Sequence, residues 1–198
     1  MGNPELAPEE HFDYRQYRTW PEGERWELIH GQAWAMSPAP TRHHQRIALD
    51  FATLLRTFLH RKPCEVYIAP FDVLLPAGDE ADDEVDTVVQ PDIVVYCDRS
   101  KLTKAGARGA PDIAVEILSP STSKKDQSEK FALYESHGVR EYWIIDPTGQ
   151  WLCVYRRLAT GLFDGGELRE PIHVFKPIES AVLAGFVVDP KELFEGME

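Results

Sequence analysis

The chain has 198 residues, 43% hydrophobic and 27% charged, with a formal net charge of −12. That length suits one domain able to bury a core, and no apolar run approaches the roughly 18 residues of a membrane helix. The acidity excludes a general nucleic-acid coating protein but not a nucleic-acid enzyme, whose charge is arranged locally. Met1 to Phe12 is polar and carries no apolar signal stretch. Cys64, Cys97 and Cys153 form neither a CxxC pair nor a zinc pattern. They are expected to be three reduced thiols, which points to a cytoplasmic protein without membrane segments.

In chain order, a first helix is predicted from about Pro8 to Arg18. Trp26–Ile29 and Gln32–Met36 read as a hairpin turning at His30-Gly31. A long helix follows. Thr41 caps it, and Ile47, Phe51, Leu54, Leu55, Phe58 and Leu59 share one face. His60-Arg61-Lys62 suit a helix C-terminus, and Pro63 stops the run. Residues 64–75 are β-rich and divided by Pro70. The stretch 79–86 holds six acids in eight residues and is expected to be a solvated loop. A strand is predicted over 88–96, then a loop over 99–111 with four basic residues and no acid. A second strand spans Asp112 to Leu118. Both strands are nearly continuous apolar runs, as in strands buried on both faces. A helix then runs to about Ser136, with Gly138 placed for a left-handed cap. Glu141–Ile145 is a strand, Asp146-Pro147-Thr148-Gly149 a turn, and Trp151–Arg156 its antiparallel return. Short strands and a helical turn near Pro190–Phe194 close the chain. The order predicts an α/β (α+β) fold, a mixed sheet flanked by helices with antiparallel C-terminal strands.

Two carboxylates stand out. Glu116 lies mid-strand between Ala114-Val115 and Ile117-Leu118, and Asp92 follows Pro91 in a comparable run. A buried carboxylate needs a cation, a set of donors or a raised pKa. Two brought to adjacent strand ends suit Mg²⁺ or Mn²⁺, which take hard oxygen ligands. Each is equally readable as a satisfied ion pair or a sheet-end cap. On the following helix Asp126 and Lys130 are four residues apart on one face, with Tyr134 one turn further. That spacing places Lys130 within reach of an Asp92–Glu116 cleft, and also fits a surface ion pair.

The run Gln90-Pro91-Asp92-Ile93-Val94-Val95, then Val115-Glu116-Ile117-Leu118-Ser119-Pro120, resembles the Uma-type putative restriction endonucleases. This former domain of unknown function is assigned to the PD-(D/E)XK nuclease superfamily. Asp126, Lys130, Tyr134, Gly138-Val139, Glu141-Tyr142-Trp143 and Asp146-Pro147 are similar in order and spacing. So are Trp26-Glu27-Leu28-Ile29, Gly31 and His44-Gln45-Arg46-Ile47. The resemblance spans roughly residues 24 to 188. It implies a restriction-endonuclease-like domain over 24–198 behind an N-terminal helical extension over 1–23.

The resemblance also implies a chemistry. Asp92, Glu116 and the Ile117 carbonyl would hold Mg²⁺ (or Mn²⁺), which activates water and neutralises phosphate. A lysine would stabilise the charge that builds on phosphorus. The superfamily usually carries that lysine two residues after the glutamate, where this chain has Leu118. Either Lys130 takes its place, as the family pattern implies, or the site is silent. Glu27, His44 and Asp126 would be accessory, with His43 offering the same chemistry as His44. Lys101, Lys104, Arg108, Lys124 and Lys125 would contact DNA phosphates. A homodimer is a superfamily expectation. The leading reading is a divalent-metal-dependent endonuclease acting on DNA. The alternative is a catalytically inactive binding or assembly module on the same fold, for which Leu118, the net acidity and the aromatic tail (Trp151, Tyr155, Phe163, Phe175) speak. A glycosidase-like carboxylate pair leaves the lysine without a role.

Overall fold

Asp13 begins the first regular element by capping it: its side chain accepts from the Gln16 N–H, and Gln16 reaches back to the Asp13 N–H. The computed structural model describes residues 10–21, 23–36, 40–119, 128–165 and 176–197. Helix α1 is Tyr14–Tyr17, its start set by this capping box; the predicted start near Pro8 lies outside the described residues. The hairpin β1 (Trp26–Ile29) and β2 (Gln32–Ala35) turns at His30-Gly31 as expected. Helix α2 (Arg42–Phe58) starts on Thr41, whose side chain accepts from the His44 N–H.

Ten of the strands divide into two five-stranded sheets, where the sequence suggested one mixed sheet. Strands β3 (Glu65–Ile68) and β4 (Asp72–Leu74) lie either side of Pro70 and belong to different sheets. The run 88–96 breaks likewise into β5 (Val88–Val89) and β6 (Ile93–Tyr96). Pro91 has no N–H to offer a ladder, and Gln90-Pro91-Asp92 carries the chain from one sheet to the other. The basic loop contains a further strand, β7 (Gly106–Arg108), parallel to β4. Strands β8 (Ile113–Ile117), β9 (Glu141–Asp146) and β10 (Trp151–Arg156) follow. The first sheet runs β2-β1-β5-β4-β7 and the second β10-β9-β8-β6-β3. Within the second, β8 and β9 are parallel and the remaining pairs antiparallel. Helix α3 (Glu129–His137) ends at Gly138, whose φ of 90° suits a residue without Cβ. A two-stranded piece, β11 (Ile178–Glu179) with β12 (Val187–Val188), precedes helix α4 (Pro190–Phe194). This is the mixed α+β fold expected, with an antiparallel C-terminal end.

Period-two alternation on β6 and β8 sorts the core into two layers. Ile93, Val95, Ile113, Val115 and Ile117 face α2 and pack on Ile47, Phe51 and Leu55. Val94, Tyr96, Ala114 and Leu118 face the first sheet and α3, meeting Val73, Val89, Leu133 and Tyr134. Glu116 has the parity of the second set, so it projects between the sheets, towards α3.

One sequence expectation is overturned. Cys64 and Cys97 form a disulfide. The β3–β6 register pairs Glu65 with Tyr96, so Cys64 and Cys97 are the next facing positions, with Cα atoms 3.9 Å apart. Spacing along the chain carried no trace of that cross-strand pairing, and the cytoplasmic expectation no longer has three reduced thiols behind it. Cys153 is buried on β10. Among the described residues no helix is long and apolar enough to cross a membrane.

Candidate functional site

The site lies where the two sheets meet α2 and α3. Lys130, in the first turn of α3, extends its ammonium between two carboxylates. Nζ is 2.8 Å from Oε1 of Glu27 on β1 and 2.8 Å from Oε1 of Glu116 on β8. All three side chains are at most 4% exposed. One helical turn on, the Tyr134 hydroxyl donates to the same Glu116 oxygen at 2.7 Å. Residues four apart share a helix face, so Lys130 and Tyr134 arrive at Glu116 together. Glu27 also accepts the Gln90 backbone N–H at 3.0 Å.

Asp92 sits at the head of β6, on the more open side. Its Oδ2 accepts the Ile117 N–H at 2.8 Å and lies 3.3 Å from His44 Nε2. In an extended strand the N–H and C=O of one residue point the same way, so the Ile117 carbonyl is also directed to the Asp92 side of β8. Asp92 and His44 side chains are 19% and 12% exposed. The structure separates the two histidines: His43 Nε2 is 3.1 Å from Arg42, and His44 turns inward to Asp92.

Among the described residues, Glu27, Glu116 and Asp92 gather around the Lys130 ammonium and the His44 imidazole. Among the described residues no group of three or more His, Cys, Asp or Glu side chains is placed to hold a metal by itself.

Behind the carboxylates lies a polar arrangement that the sequence did not reveal. Gln90 is 8% exposed, and its amide is fully engaged. Its Oε1 accepts from Arg25 Nε and Nη2 at 3.2 and 2.9 Å. Its Nε2 donates to Asp72 Oδ1 at 2.8 Å and to the Tyr17 hydroxyl at 3.1 Å. The Tyr17 hydroxyl in turn lies 3.1 Å from both the Trp26 carbonyl and Asp72 Oδ1. Burial first, and the Asp72 carboxylate second, push the Tyr17 phenol above its ordinary value, so it stays a donor.

Lys101, Lys104 and Arg108 lie away from this group. Lys101 Nζ donates to the Ala110 carbonyl at 2.9 Å. Arg108 pairs with Asp82 at 2.7 Å and donates to the Glu80 carbonyl at 2.6 Å. It lies on β7, an edge of the first sheet with β4 between it and β5. Lys104 is exposed and lines a shallow surface depression with Arg18, Asp82 and Asp83. Lys124, Lys125 and Asp126 lie outside the described residues. Tyr134 carried a usable signal, its four-residue spacing from Lys130. Gln90 carried none beyond preceding Pro91-Asp92.

Comparison with known proteins bears on this geometry. Residues 13–181 match the family model Uma2, described as putative restriction endonuclease. The chain is 25% identical over 159 residues to an uncharacterized protein of Synechocystis sp., covering 80% of this chain and 77% of that one. Its fold matches the crystal structure of a putative nuclease belonging to DUF820 from Anabaena variabilis. There the TM-score is 0.71 at 21% identity, over 92% of this chain and 97% of that one. At that identity the likeness establishes a shared fold.

Proposed function

This chain belongs to the Uma2 family of putative restriction endonucleases, and from that premise we propose that it is a divalent-metal-dependent endonuclease cutting DNA phosphodiester bonds. The observation that carries the reading is the Lys130 ammonium fixed between Glu27 and Glu116. It supports the reading because helix α3 brings an ammonium to Glu116 on β8, the strand whose usual lysine position is Leu118.

The donor chemistry fits Mg²⁺ or Mn²⁺. Asp92, Glu116 and the Ile117 carbonyl would supply hard oxygen ligands, and Mg²⁺ is commonly held by one or two carboxylates with water completing its shell. When bound there, the metal would supply Lewis-acid polarisation of the phosphate and lower the pKa of a water. The protein's own part follows from the contacts. Tyr134 and Lys130 hold Glu116 Oε1, so its carboxylate cannot rotate freely. His44 and the Ile117 N–H hold Asp92 Oδ2 in the same manner. Lys130 stabilises negative charge as it builds on the phosphoryl oxygens, preorganised by Glu27. Asp92 and His44, the more exposed members, form the end that meets substrate. DNA contacts by Lys101, Lys104, Arg108, Lys124 and Lys125, and a homodimer, are part of this proposal.

A second reading rests on one observation. Lys130 is 4% exposed, as in a structural ion pair, which suits a silent binding module. Cleavage separates the two. Wild-type protein should nick plasmid or cut oligonucleotide in Mg²⁺ or Mn²⁺, with activity lost in Asp92→Ala and Glu116→Ala. Equal behaviour of all three proteins across both metals and several DNA forms refutes the nuclease.

A further inference from the structure

Gln90 stands at the covalent crossing from β5 of one sheet to β6 of the other, beside the site. Its backbone N–H meets the Glu27 carboxylate at 3.0 Å, and two residues later comes Asp92. Its side chain is held from three directions, by Arg25, Asp72 and Tyr17. The amide orientation is forced by its partners: a guanidinium only donates and a carboxylate only accepts, so the oxygen faces Arg25 and the nitrogen faces Asp72. No carboxylate or apolar side chain meets both demands. Tyr17 completes the arrangement, its hydroxyl reaching the carbonyl of Trp26, the residue before Glu27.

We propose that Gln90 is a positioning residue for the Glu27–Lys130–Glu116 group, tying helix α1 and strand β4 to the carboxylate that holds the lysine. The proposal rests on the nuclease reading for its kinetic consequence and on geometry alone for its placement. Glu27 is steadied twice, at its carboxylate by the Gln90 N–H and at the adjoining backbone by Tyr17. The N-terminal residues around Tyr17 are then part of the working site. Gln90 acts through Glu27 and Lys130 and touches no reacting atom, so its loss misplaces the ammonium without removing it.

The test is a reciprocal exchange. Gln90→Glu keeps the acceptor for Arg25 but sets a second carboxylate oxygen against Asp72. Adding Asp72→Asn returns a donor to that contact and restores the pairing in reverse. Two readouts are taken on the full chain. In Mn²⁺-supported oligonucleotide cleavage, Gln90→Glu should lower kcat by about 10- to 100-fold, the scale of an ångström-level misplacement, with KM little changed. By NMR, hydrogen-exchange protection of the residue-90 amide should fall about tenfold, reporting local opening. The double variant should recover both, and it decides the matter where Gln90→Glu alone is too unstable to assay. Wild-type kcat and protection in Gln90→Glu, or a folded double variant that recovers neither, overturns the proposal. If wild-type protein cleaves no DNA, the nuclease reading fails, and the exchange measurement still decides the placement.

Discussion

Replacing Lys130 by methionine keeps the length of the side chain and removes its charge. Glu27 and Glu116 are then left facing one place, 2% and 4% exposed, without the ammonium that lay 2.8 Å from each. Removing one partner of a buried ion pair costs about 3–5 kcal/mol, because the remaining charge is stranded in a poorly solvated site. For a chain of this size each kcal/mol shifts Tm by about 2–4 °C, so the fall should be roughly 6–20 °C. The measurement is urea unfolding and thermal melting at neutral pH without divalent metal. The triple variant Glu27→Gln, Lys130→Met, Glu116→Gln provides the comparison, since neutral amides need no cation. It should be more stable than Lys130→Met alone. A loss below about 1 kcal/mol, the range of exposed ion pairs, or a triple variant no more stable than the single one, would refute the reasoning.

Three further outcomes are expected. Tyr134→Phe removes a hydrogen bond to a buried carboxylate and should cost about 1.5–3 kcal/mol, read by urea unfolding, and should lower cleavage with DNA affinity unchanged. Gly106→Ala would place a Cβ 2.1 Å from the Asp72 carbonyl oxygen, where β7 lies against β4; the forced shift should cost at least about 1–3 kcal/mol in unfolding experiments. Glu65 is held below the usual carboxylate range by the Tyr67 hydroxyl first and the Arg99 guanidinium second. Its folded pKa is depressed, so its contribution is present above the unfolded value of about 4.3 and lost as pH falls through the folded one. Glu65→Gln should therefore flatten the acid limb of the stability profile, and an unchanged limb would show the contacts to be energetically silent.

Elements with a local signal were legible in the sequence. Thr41 capping a 3.6-period apolar face fixes α2 wherever the helix packs, and Gly138 marks the end of α3 because its backbone needs a left-handed residue. Glu116 was visible as a carboxylate in an otherwise apolar strand, and Lys130 and Tyr134 by their four-residue spacing. Long-range register was not legible. The division of 88–96 into two strands of two sheets depends on what each half pairs with, and an apolar run looks the same in both. The Cys64–Cys97 bond follows from Glu65 facing Tyr96, a pairing no local pattern encodes. Gln90 is the clearest case: its four side-chain contacts come from α1, β4 and Arg25, segments up to 73 residues away in sequence. Arg108 has a contact that the sequence did not show. A basic residue in a basic loop reads as free for phosphate, yet tertiary structure pairs it with Asp82.

The most direct test of the account is anomalous diffraction from crystals grown with Mn²⁺. One strong peak is expected at the site lined by Asp92, Glu116 and the Ile117 carbonyl, and it should disappear in Glu116→Gln. Well-ordered Asp92 and Glu116 side chains with no peak between them at saturating Mn²⁺, or a peak unaffected by Glu116→Gln, would contradict it.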